Sequence, residues 1–81
     1  MPLLLRTGRQ LAAARALAGL TREELADAAG IASGTIKRLE GSGEVQAQAR
    51  TIDALEKALE DHGVELLGGD QPGVRMRKVA A

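Results

Sequence analysis

The side chains that could do chemistry in this 81-residue chain form a small polar group and not a catalytic set. The sequence has no cysteine, one histidine and two serines, so no nucleophile is paired with a base as covalent catalysis requires. Its glycine-rich segments also lack the Gly-Lys-Ser/Thr ending of a phosphate-binding loop. We therefore expect no enzymatic activity. Hydroxyls, a glycine and two cations remain, types that suit phosphate oxygens and base edges, at Ser33, Gly34, Thr35, Lys37 and Arg38.

A short capped helix is predicted before this group. Thr21 and Glu24 have the spacing of a capping box, in which each side chain satisfies a backbone N–H of the first turn. Leu25 and Ala26 begin an apolar stripe on the same helix. Gly30 stands where a helix end needs a left-handed backbone, so the helix is expected to end there.

A second helix is predicted to follow at once and to carry the polar group. Ile31 is expected to be buried between the two helices. Ala32 and Ser33 are expected to open the second helix, with Ser33 as its candidate cap. Ile36 and Leu39, three residues apart, form the inward face. The polar and basic residues then lie on the outer face.

Two interpretations of this helix pair remain open. An ordinary helical hairpin with a solvated polar face has the same apolar spacing. A helix-turn-helix, which lays its second helix in the major groove of DNA, explains two further details. Gly34 costs a helix about 1 kcal/mol relative to alanine, which suits the close approach of another molecule, although packing would also explain it. The outer face also carries no acid before Glu40.

The segment resembles the Cro/C1-type helix-turn-helix of the XRE family of bacterial and phage regulators. The resemblance rests on LTREELA, AGI and TIKRLE and extends over roughly residues 10–59. It implies a mainly α, lambda-repressor-like four-helix domain. It also implies sequence-specific binding of double-stranded DNA by a homodimer on a palindromic operator, as a repressor or other transcriptional regulator. Arg22 stands where the family usually has glutamine, and as a cation it could still reach phosphate.

The same resemblance assigns roles to individual residues. Arg15 and Glu40 match a structural ion pair, partly buried and bidentate, that fixes the angle of the recognition helix. The loop after that helix passes near the DNA backbone in the family, which makes two of its residues candidates for phosphate contacts. The full set expected to contact DNA is Arg22, Ser33, Gly34, Thr35, Lys37, Arg38, Ser42 and Gln46.

Composition and charge agree with a small regulator. The chain is long enough for a modest core, and without aromatic residues it cannot stack bases as single-strand binders do. The absence of cysteine and of any long apolar run favours a cytoplasmic location with no membrane segment, metal or cofactor. The formal net charge is zero but unevenly spread: +2 over residues 1–43, −5 over 44–70 and +3 over 71–81, which include Lys78.

Two more helices are predicted around the motif. A capping box at Thr7 and Gln10 opens the first, which runs to Ala18 and is closed by Gly19. Its expected inward stripe consists of Leu11, Ala14, Leu17 and Ala18. After a loop in which Val45 enters the core, a fourth helix is expected from about residue 49 to 62, with His62 as a helix-end cap.

Beyond Gly63 the hydrophobic period changes from helix to strand. Two alternating segments flank a turn-forming cluster, GGDQPG, which predicts a β-hairpin. We divide the chain into a DNA-binding domain at residues 1–63 and a β extension at 64–81. An isolated hairpin is marginal in water, so it must pack on its own domain or join a second copy. We expect it to build a dimer with a shared sheet through Val64, Leu66, Val74 and Met76, the alternative being a frayed tail.

A function of another class also stays open. A small chain of zero net charge on this scaffold could be a protein-interaction module, such as an antitoxin or an anti-activator. Its partner would then be a toxin or an activator protein. A neighbouring toxin gene would distinguish this alternative from a DNA-binding regulator.

Overall fold

The computed structural model describes residues 4–77 as four helices followed by a two-stranded antiparallel sheet. Residues 1–3 and 78–81, which include Lys78 and the ends of both expected domains, lie outside the described part. The elements are α1 (Gly8–Ala18), α2 (Arg22–Ala29), α3 (Ser33–Glu40), α4 (Ala49–Asp61), β1 (Val64–Leu67) and β2 (Gly73–Met76). The predicted fold class, mainly α with a C-terminal hairpin, is confirmed. Within residues 4–77 no helix combines the length and hydropathy needed to span a membrane.

The helix ends follow from local side chains at most positions. Both predicted capping boxes are present, Thr7 with Gln10 and Thr21 with Glu24. Gly30 ends α2 with a left-handed φ of 72°, a conformation in which a Cβ would be strained. The predicted cap of α3 at Ser33 is wrong, because Ala32 is the N-cap and no side chain caps the helix. Ser33 is already helical there.

One hydrophobic core holds helices and hairpin together. Its fully buried large side chains are Leu11, Leu25, Ile36, Leu39, Leu55, Leu59 and Val64, so every helix and the first strand contribute. Val45 is also buried, as predicted. Two expectations are corrected: Leu17 is 42% exposed, and Ile31 is only partly buried against the core. Leu17 and Ile31 lie at or just beyond the ends of α1 and α2, where fewer residues surround a side chain than in the middle of the core.

The start of α1 touches the end of α3 at Gly8. A Cβ built on Gly8 would lie less than 3.0 Å from the carbonyl oxygens of Leu39, Glu40 and Ser42. No real Cβ approaches backbone this closely, so the contact requires glycine. The missing side chain therefore sets how near the N-terminus of α1 lies to the C-terminus of the helix that carries the polar group.

The hairpin is tied to α1 by one buried amide. Gln10 is 4% exposed, and its Nε2 donates to the carbonyl oxygens of Leu4, Leu67 and Gly73 at 2.9–3.1 Å. Its Oε1 accepts from two backbone N–H groups in the segment before α1. Gln10 thus closes the capping box and also links both strands to the first helix.

Candidate nucleic-acid interface

The α3 helix buries its apolar face and leaves its basic face open. Ile36 and Leu39 are fully buried, whereas Gly34, Lys37 and Arg38 are exposed. Two further members of the polar group, Ser33 and Thr35, are partly buried at the start of the helix. No element among residues 4–77 covers the outer face, which can therefore meet another molecule without rearrangement.

Gly34 has no packing reason within the described chain. A Cβ built there would find no heavy atom within 4 Å, so alanine would fit. Glycine nevertheless costs an exposed helix position about 1 kcal/mol relative to alanine. The packing explanation left open by the sequence is thus unsupported, and the bare backbone suits contact with something outside the chain.

The last residue of α3, Glu40, is held by α1. Arg15 Nε donates to Glu40 Oε2 at 2.6 Å and Arg15 NH2 donates to Oε1 at 3.1 Å, a bidentate arrangement. Arg15 NH1 also donates to the carbonyl oxygen of Leu20 at 3.1 Å. The Glu40 side chain is only 4% exposed. The pair therefore connects α1, the chain before α2 and the end of α3.

A second arginine, Arg22, bonds the same carboxylate. Its Nε donates to Glu40 Oε1 at 3.0 Å, while its side chain remains 43% exposed. The sequence interpretation placed Arg22 on phosphate and did not place it beside Glu40. No spacing signal relates two residues 18 positions apart on different helices, so only the tertiary structure could reveal this contact.

The charge state of Glu40 follows from these neighbours. Burial by itself would raise the pKa of the Glu40 carboxyl. The hydrogen bonds from Arg15 and Arg22 and the attraction of both guanidinium groups together lower this pKa by more than burial raises it. The net effect is a pKa below the ordinary value. Glu40 in turn raises the pKa of Arg15, chiefly through their hydrogen bonds. Both shifts favour the charged forms of Glu40 and Arg15.

The loop after α3 contains the two weaker candidates. Ser42 Oγ donates to the Leu39 carbonyl oxygen at 2.6 Å, so this hydroxyl already caps the helix end. Gln46 is exposed. Arg9, which was not among the predicted site residues, is exposed and lines a shallow cleft with Ser42 at the junction of α1 and α3.

The hairpin residues assigned to dimerisation fall in different environments. Val64 pairs with Met76 and Leu66 with Val74, so all four lie on one face of the sheet. Val64 and Leu66 are buried in the core of this chain, Val74 is partly buried and Met76 is 48% exposed. Only the β2 side chains are thus available to a second molecule on this face.

Two helices joined at a left-handed glycine, with the second presenting an open basic face, define a helix-turn-helix protein. Residues 6–66 match the helix-turn-helix domain family, and the chain belongs to that family. This is a DNA-binding family of regulatory character that is typically non-enzymatic. No curated protein matches the chain. Within residues 4–77 no three acidic, histidine or cysteine side chains gather as a metal site would require.

Proposed function

We propose that the protein is a cytoplasmic transcriptional regulator of the Cro/C1 type that binds a palindromic operator in double-stranded DNA as a homodimer. One observation carries the proposal: α3 leaves Gly34, Lys37 and Arg38 open to solvent while Ile36 and Leu39 anchor it in the core. An anchored helix with an exposed basic face has the shape and charge that the major groove accepts.

The proposed contacts divide into those that read bases and those that grip the backbone. Lys37 or Arg38 would donate to guanine, where a bidentate contact contributes about 1–3 kcal/mol of discrimination. Gly34 would allow the backbone of α3 to approach closely. Ser33 and Thr35 would bond bases or phosphates near the helix start. Arg22, Ser42 and Gln46 would hold phosphates on either side of α3.

Two recognition helices in a dimer would lie about 34 Å apart, one turn of B-DNA.

The edge of β2 is the surface that favours a shared sheet. The Arg77 N–H donates to the Gly63 carbonyl oxygen, and in an antiparallel ladder such bonded pairs alternate with non-bonded ones. The backbone groups of Val74 and Met76 therefore point away from β1, and the register of the β1–β2 ladder leaves them unused. An unpaired edge of this kind can join the same edge of a second copy.

A proline at position 76 tests the shared sheet. Met76→Pro removes an outward N–H but no bond of the β1–β2 ladder, since Met76 belongs to a non-bonded pair. We expect the wild type to be a dimer in solution and Met76→Pro a monomer by analytical ultracentrifugation. Met76→Leu keeps both the N–H and a large apolar side chain and serves as the control that stays dimeric. A dimeric proline variant would assign the interface to another surface. Truncation after Gly63 is less informative, because it removes two core side chains, Val64 and Leu66.

DNA binding is tested by selecting duplexes from a random pool and measuring affinity for the selected sequence. Arg38→Ala should weaken that binding about tenfold or more while the melting temperature stays unchanged. Lys57→Ala removes a cation from α4 whose side chain is also exposed, to 79%, and it should leave affinity unaltered. Equal affinity of Arg38→Ala and wild type would refute the role of Arg38. A wild-type protein that binds no duplex at low ionic strength would favour the protein-interaction alternative.

A further inference from the structure

The two arginines around Glu40 use their donors differently. Arg15 engages all three of its nitrogens, two on Glu40 and one on the Leu20 carbonyl. Arg22 engages only Nε, and among residues 4–77 neither of its terminal nitrogens has a hydrogen-bond partner. A guanidinium is a rigid planar fork, so fixing Nε also fixes the direction of the opposite edge. Arg22 therefore holds two free terminal nitrogens in a defined orientation.

The charges of the three groups leave a surplus on the exposed arginine. Two guanidinium cations are hydrogen-bonded to one carboxylate, so these three groups carry one net positive charge, and the exposed Glu23 is a further acid that acts on Arg15 from outside the hydrogen-bonded cluster. Arg15 and Glu40 are 21% and 4% exposed, whereas Arg22 is 43% exposed. The excess cation thus lies at the solvent side, at the first residue of α2. An anion approaching from outside meets Arg22 and not Glu40.

We propose that Glu40 is a positioning residue for DNA binding, which holds Arg22 by Nε so that its terminal nitrogens grip a DNA phosphate. This inference rests on the proposed function and concerns the phosphate contact assigned to Arg22. Glu40 then has two tasks: with Arg15 it fixes the angle of α3, and with Arg22 it orders a cation beside that helix. Because the guanidinium group is already ordered before DNA arrives, phosphate binding costs less conformational entropy.

A double-mutant cycle on the full-length chain tests this assignment. The four proteins are the wild type, Arg22→Gln, Glu40→Gln and the double variant, each measured on the selected duplex over a range of salt concentrations. Arg22→Gln should weaken binding about tenfold, the effect of one charge-assisted hydrogen bond. It should also reduce the slope of log affinity against log salt by about 0.9 for each phosphate that the protein no longer neutralises. Glu40→Gln should weaken binding in both backgrounds, but by about threefold or more further in the wild type than in Arg22→Gln, where only its effect on the angle of α3 remains.

Three results would overturn the proposal. Tighter binding by Glu40→Gln would mean that Glu40 withholds Arg22 from DNA. An equal loss of affinity in both backgrounds would mean that Glu40 acts only through the angle of α3. Unchanged affinity in Arg22→Gln would mean that Arg22 does not touch the DNA. In each case the wild type still binds its duplex, so the proposed function stands; a wild type without affinity would refute that function instead.

Arg22→Lys provides a test that does not depend on the stability of Glu40 variants, because Arg15 still neutralises Glu40 in this protein. Lysine keeps the charge but has one ammonium group, which cannot hold the buried carboxylate and present a rigid fork to phosphate. Binding should fall about as much as in Arg22→Gln, with unchanged circular dichroism. Wild-type affinity in Arg22→Lys would show that charge alone suffices and would overturn the positioning role.

Discussion

At the scale of single residues, two glycines illustrate opposite reasons for a missing side chain. Gly8 faces three backbone carbonyls of α3 and the following loop at less than 3.0 Å from a built Cβ. Gly34 faces open space. The first glycine is required by the fold of this chain, and the second is not. The sequence drew attention only to Gly34, because a glycine inside a predicted helix is locally unfavourable whereas one at a helix start is ordinary.

We predict that Gly8→Ala and Gly34→Ala change stability in opposite directions. Gly8→Ala should lower the free energy of unfolding by roughly 3 kcal/mol, since backbone carbonyls cannot move aside as flexible side chains can. Gly34→Ala should raise it by about 1 kcal/mol, because alanine favours the helix and meets no obstacle. Urea denaturation of both variants beside the wild type measures these changes.

The same pair separates stability from recognition. If the backbone at Gly34 approaches DNA closely, the stabilised Gly34→Ala protein should bind the selected duplex more weakly. A Gly34→Ala protein that is both more stable and equally tight in binding would leave the glycine without a role in recognition. If Gly8→Ala has the same free energy of unfolding as the wild type, α1 and α3 can move apart at little cost.

At the scale of elements, the hairpin is joined to the helices by both apolar and polar contacts. Val64 and Leu66 enter the core of the helices. Gln10 satisfies carbonyl groups of both strands from inside α1. A two-stranded hairpin alone is marginal in water, and these contacts give it a surface to pack on. The alternative of a frayed tail is excluded for residues 64–76 by the ordered strands themselves.

We predict that Gln10→Leu destabilises the protein although leucine has a similar volume. The change removes one hydrogen-bond partner from each of three carbonyl oxygens and two N–H groups. The oxygens of Leu67 and Gly73 keep the bonds of the β1–β2 ladder, so the main loss falls on the Leu4 oxygen and the two N–H groups before α1. Each buried polar group left without a partner costs about 1–3 kcal/mol, so a total of roughly 3 kcal/mol is expected after partial hydration. Thermal denaturation followed by circular dichroism measures the destabilisation.

Gln46→Leu is the matched control, since Gln46 is exposed and should change stability by less than about 0.5 kcal/mol. Equal melting temperatures for Gln10→Leu and Gln46→Leu would mean that the hairpin is held by its apolar side chains alone.

At the scale of the whole molecule, one buried charge connects distant segments. Glu40 lies at the end of α3 and is contacted from α1 and from the start of α2. Breaking one side of a buried ion pair is costly because a charge is left without compensation. The relative placement of three helices therefore depends on the ionisation of a single carboxyl group.

We predict a specific pH dependence of stability from this group. The pKa of Glu40 in the folded state lies below the ordinary 4.5, so its contribution is complete above that value and is lost as pH falls through the folded-state pKa. The stability difference between wild type and Glu40→Gln should therefore be full at neutral pH and shrink progressively below about pH 4.5. Urea denaturation at a series of pH values measures it.

Glu65→Gln is the comparison for that experiment. The pKa of Glu65 is also lowered, by its hydrogen bond and ion pair with Arg75, but this pair is exposed and screened by solvent. Its effect on stability should be much smaller at every pH. A wild-type advantage over Glu40→Gln that stays constant down to strongly acidic pH would contradict the linkage.

The local part of this architecture was predictable because its signals are local. The capping boxes at Thr7 and Thr21 and the left-handed Gly30 involve residues close in the chain, where side chain and backbone types leave few conformations. Apolar spacing placed Ile36 and Leu39 inside and the basic residues outside. The wrong predictions, for the burial of Leu17 and Ile31 and for the cap at Ser33, occur at element ends, where the surroundings depend on neighbours from elsewhere in the chain.

The sequence by itself thus determined the helices, the turn between α2 and α3 and the face that α3 turns outward, since each depends on interactions within a few residues. Only the tertiary structure decided what meets across the chain: Arg22 beside Glu40, Gly8 against the end of α3, and Gln10 beneath the hairpin. These contacts join residues 18 to 63 positions apart, and no periodicity encodes them. They arise when packing of the common core brings separate elements within bonding distance.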